Sequence, residues 1–187
     1  MTQLPDIFTT PASEETLQQV VANLWKRNIE GMIVDNGDDA RKLVKESLPK
    51  GAEVHSSKSK TLQETGIFDL IQDPNEYDAL RSRYLKMDRQ TQAREIRKLI
   101  AAPDFMLGSV NAVTEDGMLV TASATASQFG PYASAAGKVI LIVGSQKIVP
   151  DLETALRRYG ASGITFYPGK MPRFVKCCPQ DRLWVRS

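Results

Sequence analysis

The sequence predicts a three-layer α/β/α domain with a mainly parallel central sheet, on three observations. Apolar runs of strand length alternate with helix-period segments through the first half, the pattern of βαβ units with helices on both faces of a sheet. Lys138-Val139-Ile140-Leu141-Ile142-Val143 is apolar at nearly every position and rich in β-branched residues, as expected of a parallel strand covered on both sides. The 187 residues, 42% hydrophobic and 25% charged, suit one domain whose core closes without disulfide or metal.

Each element has its own local reason. Ser13-Glu14-Glu15 supplies a capping oxygen and two acids for a helix start, and Leu17, Val20, Val21 and Leu24 follow at a 3.6 period. Gly31-Met32-Ile33-Val34-Asp35 reads as a buried strand bounded by Asn36-Gly37. Asp38-Asp39 opens a second helix through Leu43, Val44 and Leu48, stopped by Pro49 and Gly51, and Ala52-Glu53-Val54-His55 is the next strand. Hydroxyl-rich Ser56–Thr61 leads into a short helix that Gly66 can end. Asp73-Pro74 is expected to start another helix, with the chain mainly helical and charged to Ala102 and interrupted near Met87-Asp88.

In the second half, Asp104–Leu107 and Met118–Thr121 read as strands on either side of a polar turn. Ala122–Gly137 is expected to be a loop with at most a short helix. Pro150-Asp151-Leu152-Glu153 opens a last helix, whose end places Arg157-Arg158 beside the negative end of its dipole. Short strands near Arg173–Lys176 and Leu183–Arg186 close the sheet. No internal repeat or linker is visible.

Several function classes are set aside by composition. The formal net charge is only +2, from 24 basic and 22 acidic side chains, with no concentrated basic stripe for nucleic acid. The densest basic region, Arg81 through Lys98, is interleaved with acids and reads as a solvated helix face. Cys177 and Cys178 are neighbours that cannot close a loop, which suits a reducing compartment; they read as small core or edge residues. The N-terminus has no basic-then-apolar signal, and no apolar run approaches the roughly 20 residues of a membrane span. A cytoplasmic chain is expected. His55, the one histidine, excludes a histidine-rich metal site and reads as a structural or surface residue at a strand end. Trp25 and Trp184 read as core or interface residues. No Walker or dinucleotide fingerprint occurs, and no intrinsic cofactor is expected.

The candidate chemistry sits in three polar loops, because ligands of open α/β sheets bind beyond the carboxyl ends of strands. In the first, Ser57, Ser59, Lys60 and Thr61 can receive a phosphate or carboxylate, with Thr61 capping the helix that follows; capping plus surface lysines is the competing reading. In the second, Gly108 and Gly117 frame a turn in which Ser109, Asn111 and backbone N–H groups can hold a polar ligand while Glu115 acts as acid, base or nucleophile. Alternatively Asn111 and Thr114 satisfy the loop backbone and Glu115-Asp116-Gly117 is only a turn. In the third, Gln146 and Lys147 follow the strongest strand, and Lys147 either meets an anion, makes a salt bridge or covers a helix end.

Ser57–Gly66, Gly108–Gly117 and Val143–Leu152 resemble, in that order, three successive motifs of the LUD-domain (lactate-utilisation) family. The resemblance runs from Gln18 to Arg158, and residues 1–187 read as a single LUD domain. It implies a fold like that of phosphosugar isomerases and coenzyme A transferases. It also implies an association with bacterial lactate oxidation, beside iron–sulfur partners. The chain lacks the cysteine-rich, ferredoxin-like extension of multidomain members, so no cluster of its own is implied. From Gly160 onward it departs from the family's usual closing segment. Two classes of function follow: an accessory protein that holds a small anion, or an enzyme of phosphosugar isomerase or coenzyme A transferase type. In the second, Glu115 parallels the glutamate nucleophile of the transferases. The ligand's identity is not legible, and a homo-oligomer is left open.

Overall fold

The computed structural model describes residues 6–123, 126–161, 173–176 and 183–186. Among these, the strands in chain order are β1 (Gly31–Val34), β2 (Glu53–Ser56), β3 (Asp78–Ala79), β4 (Phe105–Gly108), β5 (Ala112–Thr114), β6 (Leu119–Ser123), β7 (Lys138–Gly144), β8 (Ile148–Val149), β9 (Arg173–Lys176) and β10 (Leu183–Arg186). The helices are α1 (Glu14–Trp25), α2 (Gly37–Ser47), α3 (Lys60–Glu64), α4 (Ile67–Leu70), α5 (Leu80–Tyr84), α6 (Ala93–Ala101) and α7 (Leu152–Ala161).

The main sheet has the order β1-β10-β7-β4-β2-β3, and every pair in it is parallel. β7 shows why its sequence is apolar throughout. Val139, Leu141 and Val143 enter one core cluster, while Ile140 and Ile142 enter the cluster on the other face. This is the two-residue period of a strand buried on both sides. Ala40 and Val44 of α2, Leu62 of α3 and Ile67 of α4 cover the second face. Leu17, Val20 and Leu24 of α1 cover the first.

The first face carries more than the helix layer that the sequence suggested. A second sheet, ordered β8-β5-β6-β9, contributes Val113, Leu119 and Ile148 to the same core as α1. Its β5 is three residues long and lies inside the stretch that reads as a polar turn. α7 packs on this sheet through Ala155, which clusters with Ala112, Val120 and Val149.

Local signals worked where a cap was visible. Ser13 Oγ accepts from Thr16 N at 3.2 Å and starts α1. The cap of α2 is one step earlier than its acids: Asn36 Oδ1 accepts from the N–H groups of Asp38 and Asp39 at 2.9 and 3.0 Å. Asp73-Pro74 does not begin a helix. Asp73 Oδ1 accepts from Asn75 N at 2.9 Å, which makes a side-chain turn, and the chain then adds the short edge strand β3 beside β2. Of the stretch expected to be a loop, Ala122 and Ser123 still belong to β6, and a π-type turn forms at Pro131–Ala135.

The expected strands near the end of the chain form, but β10 lies inside the sheet, between β1 and β7, and β9 joins the second sheet. Trp25 is exposed at the end of α1 and is not a core residue. Cys177, Cys178 and the side chain of Trp184 lie outside the described residues. No helix among the described residues is long and apolar enough to cross a membrane.

Candidate functional site

Because β2, β4 and β7 are parallel neighbours, the segments that follow them leave the sheet at one edge. A cleft of about 870 Å³ opens there. Ser57, Ser59 and Lys60 line it after β2, Ser109 and Asn111 after β4, and Lys147 after β7. The sequence placed its candidate loops at three separate strand ends, and the parallel order brings them together.

Lys147 ties the three exits into one cluster. The 3-10 turn Ser145–Lys147 reverses the chain after β7, and Lys147 Nζ donates to Ser109 Oγ at 2.8 Å and to Thr61 Oγ1 at 3.1 Å. Thr61 is free for this contact because Ser59, not Thr61, caps α3: Ser59 Oγ accepts from Leu62 N at 3.5 Å. Burial, and then the nearby Arg158 guanidinium, lower the Lys147 pKa to about 8, with Glu64 opposing them. Lys60, by contrast, points outward into a surface ion pair with Glu64 at 3.3 Å.

Gly108 makes room for a second contact. A Cβ at this position would overlap the Tyr132 hydroxyl and sit 2.7 Å from Ser57 Oγ. Without one, Tyr132 Oη lies 3.2 Å from Ser57 Oγ and donates to Ser109 O at 3.3 Å. Tyr132 is therefore a clamp between the first and second loops. Nothing in its sequence neighbourhood marks it.

Arg158 reaches the cleft from α7. It is buried, and it donates through Nη1 to Asn111 O at 2.6 Å and through Nη2 to Phe8 O at 3.5 Å. Burial lowers its pKa, and its Nε has no partner among the described residues. No carboxylate among the described residues forms an ion pair with Lys147 or Arg158. The two cations thus line the cleft without an ion-pair partner among the described residues. The sequence reading of Arg158 as a cation at a helix end missed this role.

His55, Arg81 and Tyr84 line a further part of the cleft. His55 is buried edge-on to Tyr84, with ring centroids 5.9 Å apart. Desolvation, and then the charge of Arg81, lower its pKa to about 4, so the ring is neutral at ordinary pH. Arg81 itself donates to Tyr84 Oη at 2.9 Å and stacks over Phe68, so part of the supposed solvated face points inward.

The remaining candidates stand apart. Glu115, Gly117, Gln146 and Thr61 are not among the residues that line the cleft, Thr61 being buried behind it with its hydroxyl on Lys147. Glu115 sits at the far end of β5, where its N–H donates to Val149 O at 2.9 Å and its carbonyl accepts from Asn23 Nδ2 at 2.8 Å. Gly117 has φ of +86°, and a Cβ there would meet the backbone of Asn23 at 3.1 Å, so glycine serves the turn and its packing on α1. Thr114 Oγ1 accepts from Met118 N at 2.9 Å across the same turn. Asn111 lines the cleft, but its Oδ1 is used to accept from Ala122 N at 2.9 Å, which leaves its amide N–H₂ for a ligand. Among the described residues no group of three or more His, Cys, Asp and Glu side chains is arranged to hold a metal.

The model of the LUD domain matches residues 17–174. The match continues past Arg158, so the segment after Gly160 does not leave the family where the motifs suggested. A DUF162 family protein from Deinococcus radiodurans has a similar structure, with a TM-score of 0.60 at 11% identity over 94% of this chain and 99% of that one. Two fainter likenesses are to eIF2B beta from Chaetomium thermophilum (TM-score 0.37, 16% identity, 63% of this chain, 44% of that one) and to ribose 5 phosphate isomerase A from Neisseria gonorrhoeae (TM-score 0.36, 10% identity, 76% and 57%). No curated protein matches the sequence.

Proposed function

Because this chain belongs to the LUD-domain family, we propose that it is a small-anion-binding accessory protein of bacterial lactate or organic-acid utilisation, acting in the cytoplasm beside iron–sulfur redox partners. The family's association with lactate utilisation supports the metabolic setting. The observation that carries the binding reading is the Lys147 ammonium held by Ser109 and Thr61. An ammonium has three donors, and two are taken, so one remains for a ligand. Ser109, which lines the cleft, accepts from the ammonium through a lone pair, which leaves its own O–H to donate to an anion. A carboxylate at this point would receive one charged and one neutral hydrogen bond, with the Arg158 charge nearby.

The test is calorimetric titration with lactate, pyruvate and inorganic phosphate, repeated on Lys147→Met. The proposal expects saturable binding that the variant loses while keeping its fold. Binding that is equal in the two proteins would remove Lys147 from the site. The accessory role is tested separately, by capture of iron–sulfur proteins on the immobilised chain and by lactate oxidation in cells lacking it. Oxidation at an unchanged rate would sink that role. The alternative enzyme needs Glu115 at the reacting centre, and no observation brings its carboxylate to the cleft.

A further inference from the structure

α6 carries an apolar stripe that the protein core does not use. Ala93, Ile96 and Ile100 are spaced by three and four residues and so share one face, while Arg94, Glu95, Arg97 and Lys98 are exposed. Such a stripe normally packs into the core. Here no residue of α6 is buried, and none belongs to a core cluster. Ala93, Ile96 and Ile100 instead line the cleft that also contains Lys147 and Arg158.

The size of the cleft agrees with this. Cavities of about 300–1,000 Å³ hold ligands of many heavy atoms, mostly against apolar walls with a few polar groups that fix one end. At about 870 Å³, the cleft is near the upper end of that range, and a three-carbon acid at Lys147 would leave most of it empty. Water in that space would wet the apolar stripe at a cost that an apolar ligand body removes.

We infer that the ligand is an amphipathic anion, with a carboxylate or phosphate head at Lys147 and Ser109 and an apolar chain or ring against Ala93, Ile96 and Ile100. The inference rests on the anion-binding reading above and adds a body to the head. Charge complementarity fixes the head, since the cations lack carboxylate partners among the described residues. The half-exposed stripe fixes the body.

The experiment is calorimetric titration with acetate, butanoate and octanoate, and with methyl, butyl and octyl phosphate, at one pH and ionic strength. Each fully buried methylene strengthens binding about fourfold. Octanoate or octyl phosphate is therefore expected to bind at least about tenfold more tightly than its four-carbon homologue. The series that shows the steeper rise identifies the head group. Ile96→Asn and Ile100→Asn, neutral changes at half-exposed positions, are expected to remove most of that gain, and Lys147→Met to weaken every member. Circular dichroism checks that the variants fold.

Affinity that does not depend on chain length, with acetate binding still dependent on Lys147, overturns the inference and leaves the anion site standing. No binding by any member overturns both. Ile96→Asn that leaves octanoate binding intact but splits a dimer in sedimentation assigns the stripe to a contact between copies, and also overturns it.

Discussion

Replacing Gly108 by alanine tests the packing that holds two of the three loops together. The new methyl group would lie 2.8 Å from Tyr132 Cζ and on top of the Tyr132 hydroxyl, and at 2% exposure the tyrosine cannot swing into solvent. Overpacking of this kind costs about 1–3 kcal/mol. Displacing the hydroxyl also weakens its contacts with Ser57 Oγ and Ser109 O, long bonds at 3.2 and 3.3 Å, each worth about 0.5–1 kcal/mol. The total is about 2–5 kcal/mol, a fall in Tm of roughly 4–20 °C for a chain of this length. Urea denaturation of wild type, Gly108→Ala, Tyr132→Phe and the double variant measures it. Tyr132→Phe removes the atom that the methyl group strikes, so the double variant should lose less than the sum of the singles, by about 1 kcal/mol. A Gly108→Ala protein within about 0.5 kcal/mol of wild type, or strict additivity in the cycle, would refute the steric account.

Binding of lactate or phosphate should weaken as pH rises through about 8, where Lys147 loses its proton, and titrations from pH 6 to 10 check this. His55 titrates near pH 4 in the fold and near 6.5 when unfolded, so the unfolded chain holds more protons between those values and stability falls as pH drops through that window. The loss approaches about 3 kcal/mol at most, and His55→Gln should flatten the slope in urea melts at pH 7, 6 and 5. Arg158→Met strips the charged donor from Asn111 O and should cost about 2 kcal/mol by urea denaturation; an unchanged midpoint would mean that the part-buried bond at 2.6 Å contributes nothing net. Glu115→Gln should leave anion titrations unaltered, whereas loss of a coenzyme-A-dependent exchange with stability intact would overturn the accessory reading.

The main sheet was legible because its strands carry local patterns. β7 is apolar on both faces, and β1 and β2 are bounded by glycine, proline and capping residues. Of the second sheet, β6 and β9 were legible as strands but the sheet itself was not, since β5 has three residues and β8 two, too few to show a period. β3 was hidden for the same reason. Lys147, Ser109 and Thr61 could be nominated because strand ends are where sites form, but their convergence depends on the order of β2, β4 and β7 in space. Arg158 and Asn111 are 47 residues apart, and Ser57 and Tyr132 are 75 apart, so neither contact leaves a trace in local sequence. Glu115 drew attention because a carboxylate in a glycine-framed turn looks chemical, whereas its backbone is used to fasten that turn to β8 and α1.

The position of β10 bears on how the molecule is made. Gly31 pairs with Leu183, and Leu183 in turn with Leu141, so β1 reaches the rest of its sheet through a strand from the far end of the sequence. On a ribosome, β1 and β7 would both emerge with a bare hydrogen-bonding edge toward an unfilled slot. They would remain so until Leu183–Arg186 has emerged. Open edges of this kind recruit other chains, and pairing at such separation is slow to form. The nascent protein should therefore depend on chaperone shielding until β10 is in place, and deleting β10 should cut β1 off from the rest of its sheet.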